Sequence, residues 1–466
     1  MNPYANHQPL HFSGVRFDET LIKKYNQQAP RYTSYPTALE FMPIKDGAER
    51  QILNEQDPNT PLSLYFHVPF CRHLCYYCGC NKIITKKNSD AGDYLEYLIQ
   101  EVRHKKSLIK GDRLVKQLHL GGGTPTFFSD DELTRLWQFL QSEFEFAKDG
   151  DYSIEIDPRE LRENTLDVLR QLGFNRLSFG VQDLAEKVQI AVNRIQPEQL
   201  IRQVMMKARQ LGFESINIDL IYGLPHQTVA SMADTVARII DISPDRLSIF
   251  NYAHLPERFA AQRRIRDEDL PSPADKLTMF GNTINALADA GYQYIGIDHF
   301  ARPDDAMAIA QRQGKLHRNF QGYATLGECD LLGFGVSSIS QINRHILQNH
   351  TDLNAYKQHI QSEQLPAVKH ITAHPKDEIR RHVIMNLLCH DRLDFHEVSQ
   401  RFGIDANSYF QNELARLHEM AADGLVSISD TGVEILPKGR ILGRSVAMVF
   451  DEYLTQKHAG RFSKVI

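Results

Sequence analysis

The sequence predicts an α/β fold: a partial (β/α)6 barrel preceded by an N-terminal arm and followed by a small, mostly helical domain. Three observations carry this. Short apolar segments alternate with helical stretches from about residue 61, the pattern of a parallel sheet. The distinctive motifs fall where predicted strands end, the face on which such folds place their ligands. After residue 371 the alternation gives way to helices and one hairpin. A chain of 466 residues is long enough for about three average domains, and 42% hydrophobic and 24% charged residues are ordinary for a globular protein.

Residues 1–60 read as an arm. Between Pro30 and Pro36 polar and aromatic residues alternate, and proline fixes φ and biases its predecessor to extended geometry. The spacing predicts an extended segment laid against the body.

From Pro61 the unit strand–loop–helix repeats, giving a body over 61–371. A strand at 62–68 runs into a cysteine-rich loop, and a helix follows at 91–109. A strand at 115–120 ends at Gly121, Gly122, Gly123, Thr124 and Pro125. Ser129 opens the next helix with Glu132 three residues on, a capping box. Strands at 152–156, 176–179, 215–221 and 247–250 follow, with helical patterns at 196–211 and 227–241. Further strands at 293–297 and 331–336 extend the sheet. Residues 372–466 read as helices at 376–389, 394–402 and 407–422, a hairpin at 425–436 turning on Asp430, Thr431 and Gly432, and a helix at 438–456. This resembles a winged-helix arrangement. Its helices are mixed in charge, so it reads as a wall for the barrel mouth rather than a nucleic-acid binder.

The chemistry is concentrated in one loop. Four of the six cysteines fall within ten residues, and Cys71, Cys75 and Cys78 are spaced C-x-x-x-C-x-x-C, with Cys80 following. Gaps of three and two let a short loop wrap three thiolates around three corners of a cubane cluster. The fourth iron is then open to a small molecule, whereas electron-transfer clusters use four cysteines. Structural zinc usually draws on two separated knuckles, and Cys80 is too close to Cys78 for the usual gap. Disulfides are disfavoured in a large chain without a secretory signal. Cys329 and Cys389 read as isolated, buried and inert thiols. The glycines at 121–123 let backbone pass close to a ligand, or make a tight strand-to-helix turn.

Fifty-three basic against fifty-eight acidic residues give −5, which argues against a general nucleic-acid binder. No apolar run approaches a membrane span, and MNPYANHQPLHF lacks the pattern of a signal peptide. A cytoplasmic protein is expected.

The cysteine spacing after a strand resembles the signature of the radical S-adenosylmethionine (SAM) enzymes. A longer set of stretches is similar to the oxygen-independent coproporphyrinogen III oxidases, also called dehydrogenases: PRYTSYPTALEF (30–41), SLYFHVPFC (63–71), CGCNKI (78–83), LGGGTPT (120–126), IEIDPRE (154–160), FNRLSFGVQD (174–183), NIDLIYGLP (217–225), FNYAHLP (250–256), HRNFQGY (317–323), LLGFGVSSIS (331–340) and FSKVI (462–466).

That resemblance implies a TIM-like radical SAM barrel and an arm lying over the substrate cavity. It implies a 4Fe–4S cluster on Cys71, Cys75 and Cys78. It implies SAM held at the cluster by Tyr65, Gly122, Glu155 and Ile339. A second SAM would meet Tyr77, Gly123, Thr124, Gln182, Arg194, Asp219 and Ala253. Tyr77 stands where the family often has phenylalanine. The implied reaction is the anaerobic oxidative decarboxylation of two propionates of coproporphyrinogen III to vinyl groups, giving protoporphyrinogen IX in haem biosynthesis. A 5′-deoxyadenosyl radical made from SAM at the cluster starts it. A tetrapyrrole with four propionates calls for arginines, with Arg31, Arg263, Arg264, Arg302 and Arg318 as candidate anchors. The implied partners are a reduced donor such as a flavodoxin-type protein, and no nucleic acid or membrane; the implied state is a monomer. The rival is a haem-binding chaperone on the same barrel without dehydrogenase activity. Cys80 in its C-G-C-N run and the PRYTSYPT arm favour the enzyme.

Overall fold

The structure is a computed structural model that describes residues 14–454. The MNPYANHQPLHF start, the FSKVI motif and the last two residues of the expected helix at 438–456 lie outside the described residues. The chain forms two compact units: one gathers residues up to 40, 272–327 and 373 onward, the other 41–271 and 328–372. The divisions drawn from sequence at 60 and 371 follow chain order, whereas these units gather segments far apart in sequence.

The second unit holds the barrel. Its six leading strands are β1 (Leu62–Val68), β2 (Val115–Gly122), β3 (Phe146–Ile156), β4 (Arg176–Gln182), β5 (Ser215–Tyr222) and β6 (Arg246–Asn251), all parallel neighbours in that order. Helices α1 (Ser89–Lys106), α2 (Asp130–Glu143), α3 (Thr165–Gln171), α4 (Glu198–Gln210) and α5 (Val229–Ile242) cross between them. This is the partial (β/α)6 barrel the alternation predicts. β1 is buried at six of seven positions, as a strand covered on both faces must be. The Ser129 box is present at the start of α2: its hydroxyl accepts from Glu132 N, and Glu132 Oε2 accepts from Ser129 N at 2.7 Å.

The sheet continues beyond β1. β7 (Asp330–Phe334) pairs parallel with β1, and β8 (Ile339–Ile342), β9 (His345–Asn349) and β10 (Ala367–Thr372) follow antiparallel, with Met42–Pro43 on β10. The expected strand at 331–336 is β7; the three antiparallel strands were not anticipated. The other expected strand is Gln293–Gly296 in the first unit, paired antiparallel with His299–Ala301.

The first unit contains Pro375–His390, Phe395–Phe402 and Gln411–Ala422 as helices, and the hairpin Val426–Ser429 with Gly432–Ile435. An unexpected strand, Arg392–Asp394, adds a third to this wing. The helix expected at 438–456 is much shorter: a 3₁₀ turn at Arg440–Leu442 and a helix at Gly443–Met448. Tertiary contacts end it. Asp451 Oδ2 accepts from Tyr32 Oη at 2.9 Å, and Glu452 N donates to Tyr35 Oη at 3.0 Å. Those tyrosines of the PRYTSYPT stretch are fully buried. Among the described residues no helix is long and apolar enough to cross a membrane.

A buried charge cluster pins α1 to the sheet extension. Lys105 Nζ lies 2.7 Å from Glu101 Oε1 and donates to Gly333 O at 2.8 Å. Glu101 Oε2 accepts from Gly335 N and Tyr356 Oη, each at 2.7 Å, and Glu101 Oε1 from Asn349 Nδ2. Lys105 and Glu101 are 1% and 0% exposed, so water cannot replace a lost partner. Lys105→Ala is therefore expected to destabilise the fold by about 3–5 kcal/mol through the stranded glutamate. Urea unfolding of wild type and variant checks this.

Candidate active site

The strand ends of the barrel enclose one cavity of about 320 Å3. Its wall begins with the cysteine loop, which leaves β1 through Phe70–Cys71, a short strand paired in parallel with Ile83–Ile84. Ile83 N donates to Pro69 O and Thr85 N to Cys71 O. The other side of the loop is clamped by the glycine turn: Gly123 N donates to Val68 O and Thr124 N to Phe70 O, both at 2.8 Å.

The glycines are required by space. Gly122 has φ +113, and a Cβ there would stand 2.6 Å from the His67 ring. A Cβ on Gly123 would stand 2.8 Å from Phe70 O. The turn is thus bare backbone facing the cavity, as a closely approaching ligand needs.

Cys71, Cys75 and Cys78 all line this cavity. Their surroundings differ. Burial pushes the Cys71 thiol up to about 12, against a hydrogen bond from Thr124 Oγ1 at 3.4 Å. Cys75 Sγ takes N–H groups from Arg159 and Arg194, each at 3.5 Å. Hydrogen bonding from Cys80 pulls Cys78 down to about 6 against burial, with help from Lys82, and keeps Cys80 protonated. Among the described residues no three His, Cys, Asp or Glu side chains have the geometry of a single-ion site. Three thiols on one short loop in one cavity suit a cubane, whose corners are different irons. A bare-backbone turn beside them suits a small chelating ligand. The residues present therefore fit a 4Fe–4S cluster with SAM.

Eight further residues singled out from sequence line the same cavity: Tyr77, Gly122, Gly123, Thr124, Glu155, Gln182, Arg194 and Asp219. Glu155 ends β3 and accepts from Gly122 N at 3.0 Å. Burial opposes its charge, but His119 and that N–H hold it below the usual carboxylate range. Asp219, on β5, accepts from Asn217 Nδ2 at 2.7 Å; burial, then the Glu155 charge, push it up to about 6. Gln182 ends β4 with φ 71, and its Oε1 is buried without a hydrogen-bond partner. Tyr77 packs against the cluster of Val188, Val192 and Leu224.

Three others lie outside the lining. Tyr65 stacks on His119 at 5.9 Å and bonds His67 Nδ1 at 3.1 Å, one contact removed from Glu155. Ala253 is exposed after β6, and Ile339 begins β8 beside Gly333. Cys389 is buried as expected, but Cys329 is only partly buried, because it sits at the edge where β7 begins.

Sequence reasoning passed over the charge group around Cys75. Asp157 accepts from Arg159 at 2.7 Å and Arg194 at 2.9 Å. Burial would raise its carboxyl, and the two guanidinium groups hold it below the usual range instead. The signal was the D-P-R-E run directly after a strand end, where Asp157 caps a 3₁₀ turn with Arg159 as its donor. His119 was also missed; it lies two residues before Gly121, at a half-buried position of β2.

The comparisons agree with this geometry. The radical SAM superfamily matches residues 65–239 and the HemN C-terminal domain matches 373–442. The chain is 52% identical to the oxygen-independent coproporphyrinogen III oxidase of Salmonella typhimurium over 454 residues, covering 97% of this chain and 99% of the relative. It belongs to the oxygen-independent coproporphyrinogen III oxidase family. Within that family the Escherichia coli K12 member is 50% identical, again over 97% of this chain and 99% of the relative. The solved structure of the E. coli enzyme, described as a radical SAM enzyme, superposes with a TM-score of 0.90 at 48% identity, covering 95% of this chain and all of that one. Family membership brings with it the radical SAM barrel, the 4Fe–4S cluster and SAM.

Asp219 gives a pH test. Its folded pKa lies above the ordinary 3.8, so its contribution to stability is complete below that value and is lost as pH rises through about 6. Asp219→Asn is expected to unfold at a higher temperature than wild type at about pH 8, with the gap about half as large at about pH 5. Thermal scans of both proteins without added SAM check it; equal gaps at both pH values contradict it.

Proposed function

We infer that this chain converts two propionate side chains of coproporphyrinogen III to vinyl groups without oxygen, giving protoporphyrinogen IX in haem biosynthesis. Each propionate loses CO2, one hydrogen atom and one electron. The observation that carries the reading is the cavity lined by Cys71, Cys75, Cys78 and Cys80 and walled by bare glycine backbone, in a chain that matches oxidases of this name over nearly its whole length. The chaperone alternative is not favoured by those relatives.

When bound, the cluster and SAM supply one-electron chemistry strong enough to take hydrogen from an unactivated C–H bond. Cys71, Cys75 and Cys78 would hold the cluster, with SAM beside it. Gly122 admits the methionine end, Glu155 accepts from an ammonium or ribose hydroxyl, and Tyr65 and Ile339 complete that site. Tyr77, Gly123, Thr124, Gln182, Arg194, Asp219 and Ala253 form the reading of a second SAM site. The unspent Gln182 Oε1 supports it, since it lacks only a donor. The chain's own task is to place the propionate β-carbon and exclude water. No acid–base pair is needed.

The propionates call for guanidinium groups. Arg31 pairs with Asp298, Arg302 lies 3.6 Å from Asp304, Arg263 donates to Pro256 O and Arg264 stacks on Tyr76. Arg318 lies over the Tyr323 ring, and its buried Nη1 has no hydrogen-bond partner. An unsatisfied buried donor favours Arg318 as an anchor. A reduced one-electron donor starts the chemistry, an oxidised one-electron acceptor takes the electron each propionate releases, and we place the monomeric enzyme in the cytoplasm.

An anaerobic assay with coproporphyrinogen III, SAM and reductant tests this. Vinyl product with methionine release is the expected result; tight haem binding without turnover overturns it. Replacing Cys71, Cys75 or Cys78 with Ala is expected to abolish both iron content and turnover, whereas Cys80→Ala keeps its iron and sulfide. Iron analysis of the four variants checks the assignment.

A further inference from the structure

We propose that the segment 82–87, which carries Lys82, Lys86 and Lys87 around the short strand at Ile83–Ile84, is the docking surface for an acidic protein that delivers single electrons to the site. The proposal rests on the functional reading above, which requires such a donor.

The run K-I-I-T-K-K (82–87) places three lysines in six residues of a chain whose net charge is −5. Lys86 and Lys87 are exposed, and neither has a carboxylate within salt-bridge distance among the described ion pairs. Asp90, close by in sequence, is already engaged, accepting from Thr85 Oγ1 at 2.7 Å. The positive charge is therefore free to meet an acidic partner. Ile84 stands 43% exposed in the middle of these lysines, an apolar centre with a charged rim.

The position matters as much as the charge. In the parallel pairing of Phe70–Cys71 with Ile83–Ile84, Ile84 is the register partner of Cys71. Thr85 N donates to Cys71 O at 3.1 Å, and Lys82 Nζ donates to Cys78 O at 3.0 Å. A protein seated on this segment is one hydrogen bond away from two of the thiol-bearing residues, through backbone at Cys71 and through the Lys82 side chain at Cys78. A strongly charged patch steers an oppositely charged partner and sets its orientation. The occupant is thus a small acidic electron carrier.

The test uses the anaerobically purified holoenzyme and an acidic flavodoxin in its oxidised form, so that binding is read without turnover. Lys86→Glu/Lys87→Glu is expected to weaken the calorimetric Kd about tenfold or more at low salt, with wild type and variant converging at about 0.5 M salt. The neutral pair Lys86→Gln/Lys87→Gln is expected to fall between them. Iron content and turnover driven by reduced methyl viologen, which needs no docking surface, stay at wild-type level in both. Failure of wild type to bind, equal binding by the variants, a loss that persists at high salt, or binding of a DNA duplex in place of flavodoxin overturns the proposal. Absence of viologen-driven turnover in wild type instead overturns the functional reading and leaves the binding result standing.

Discussion

The whole site depends on how tightly the backbone around Cys71 is held. Three loose thiols on a mobile loop would pay a large ordering cost to take a cluster. Here the loop is clamped on two sides. Val68 O and Phe70 O receive N–H groups from the glycine turn, while Pro69 O and Cys71 O receive them from the strand at Ile83–Ile84. The clamp also explains Gly123. Only without a Cβ can the turn come close enough to bond Val68 O, since that atom would lie 2.8 Å from Phe70 O.

Around this frame, charge is arranged by position. Next to Cys75 two guanidinium groups share Asp157 and aim N–H groups at the sulfur. Across the cavity stand Glu155 and Asp219, one held ionised by His119 and Gly122 N, the other pushed toward neutrality. The two acids repel one another, so one keeps its charge more readily than the other. A cavity with a cationic side at the cysteines and an acidic side opposite suits a ligand that carries both signs.

Much of this was legible in sequence because its causes are local. The six barrel strands are apolar runs, the Ser129 box is a three-residue signal, and the cysteine spacing is contiguous. What was missed has causes that are not local. β8 and β9 join at Asn343 and Arg344, and Asn343 adopts φ 51 without the Asn-Gly signal that announces a tight hairpin. The strand Arg392–Asp394 is three residues long and exists only through its pairing with Gly432–Ile435. The helix expected at 438–456 stops early because Asp451 and Glu452 serve tyrosines more than 400 positions away in sequence. The site was read residue by residue through resemblance, yet Asp157 and Arg159 were passed over because a proline-containing D-P-R-E run looks like an ordinary turn.

Gln182 shows what the barrel holds in reserve. A non-glycine residue at φ 71 is strained, and its buried Oε1 accepts no hydrogen bond; each costs on the order of 1–3 kcal/mol. The surroundings hold it there. Gly180 leaves room that a Cβ would take from Gln182 Nε2, at 2.9 Å, and from Arg194, at 3.0 Å. Arg194 in turn donates to Gly180 O at 3.1 Å through Nε, and Gln196 Nε2 donates to Val181 O. The strand end is thus held by Arg194 and Gln196, while its own acceptor is left without a partner. A turn of the Gln182 side chain that brings Oε1 to a ligand N–H or O–H recovers the desolvation cost on binding without any rearrangement of the backbone.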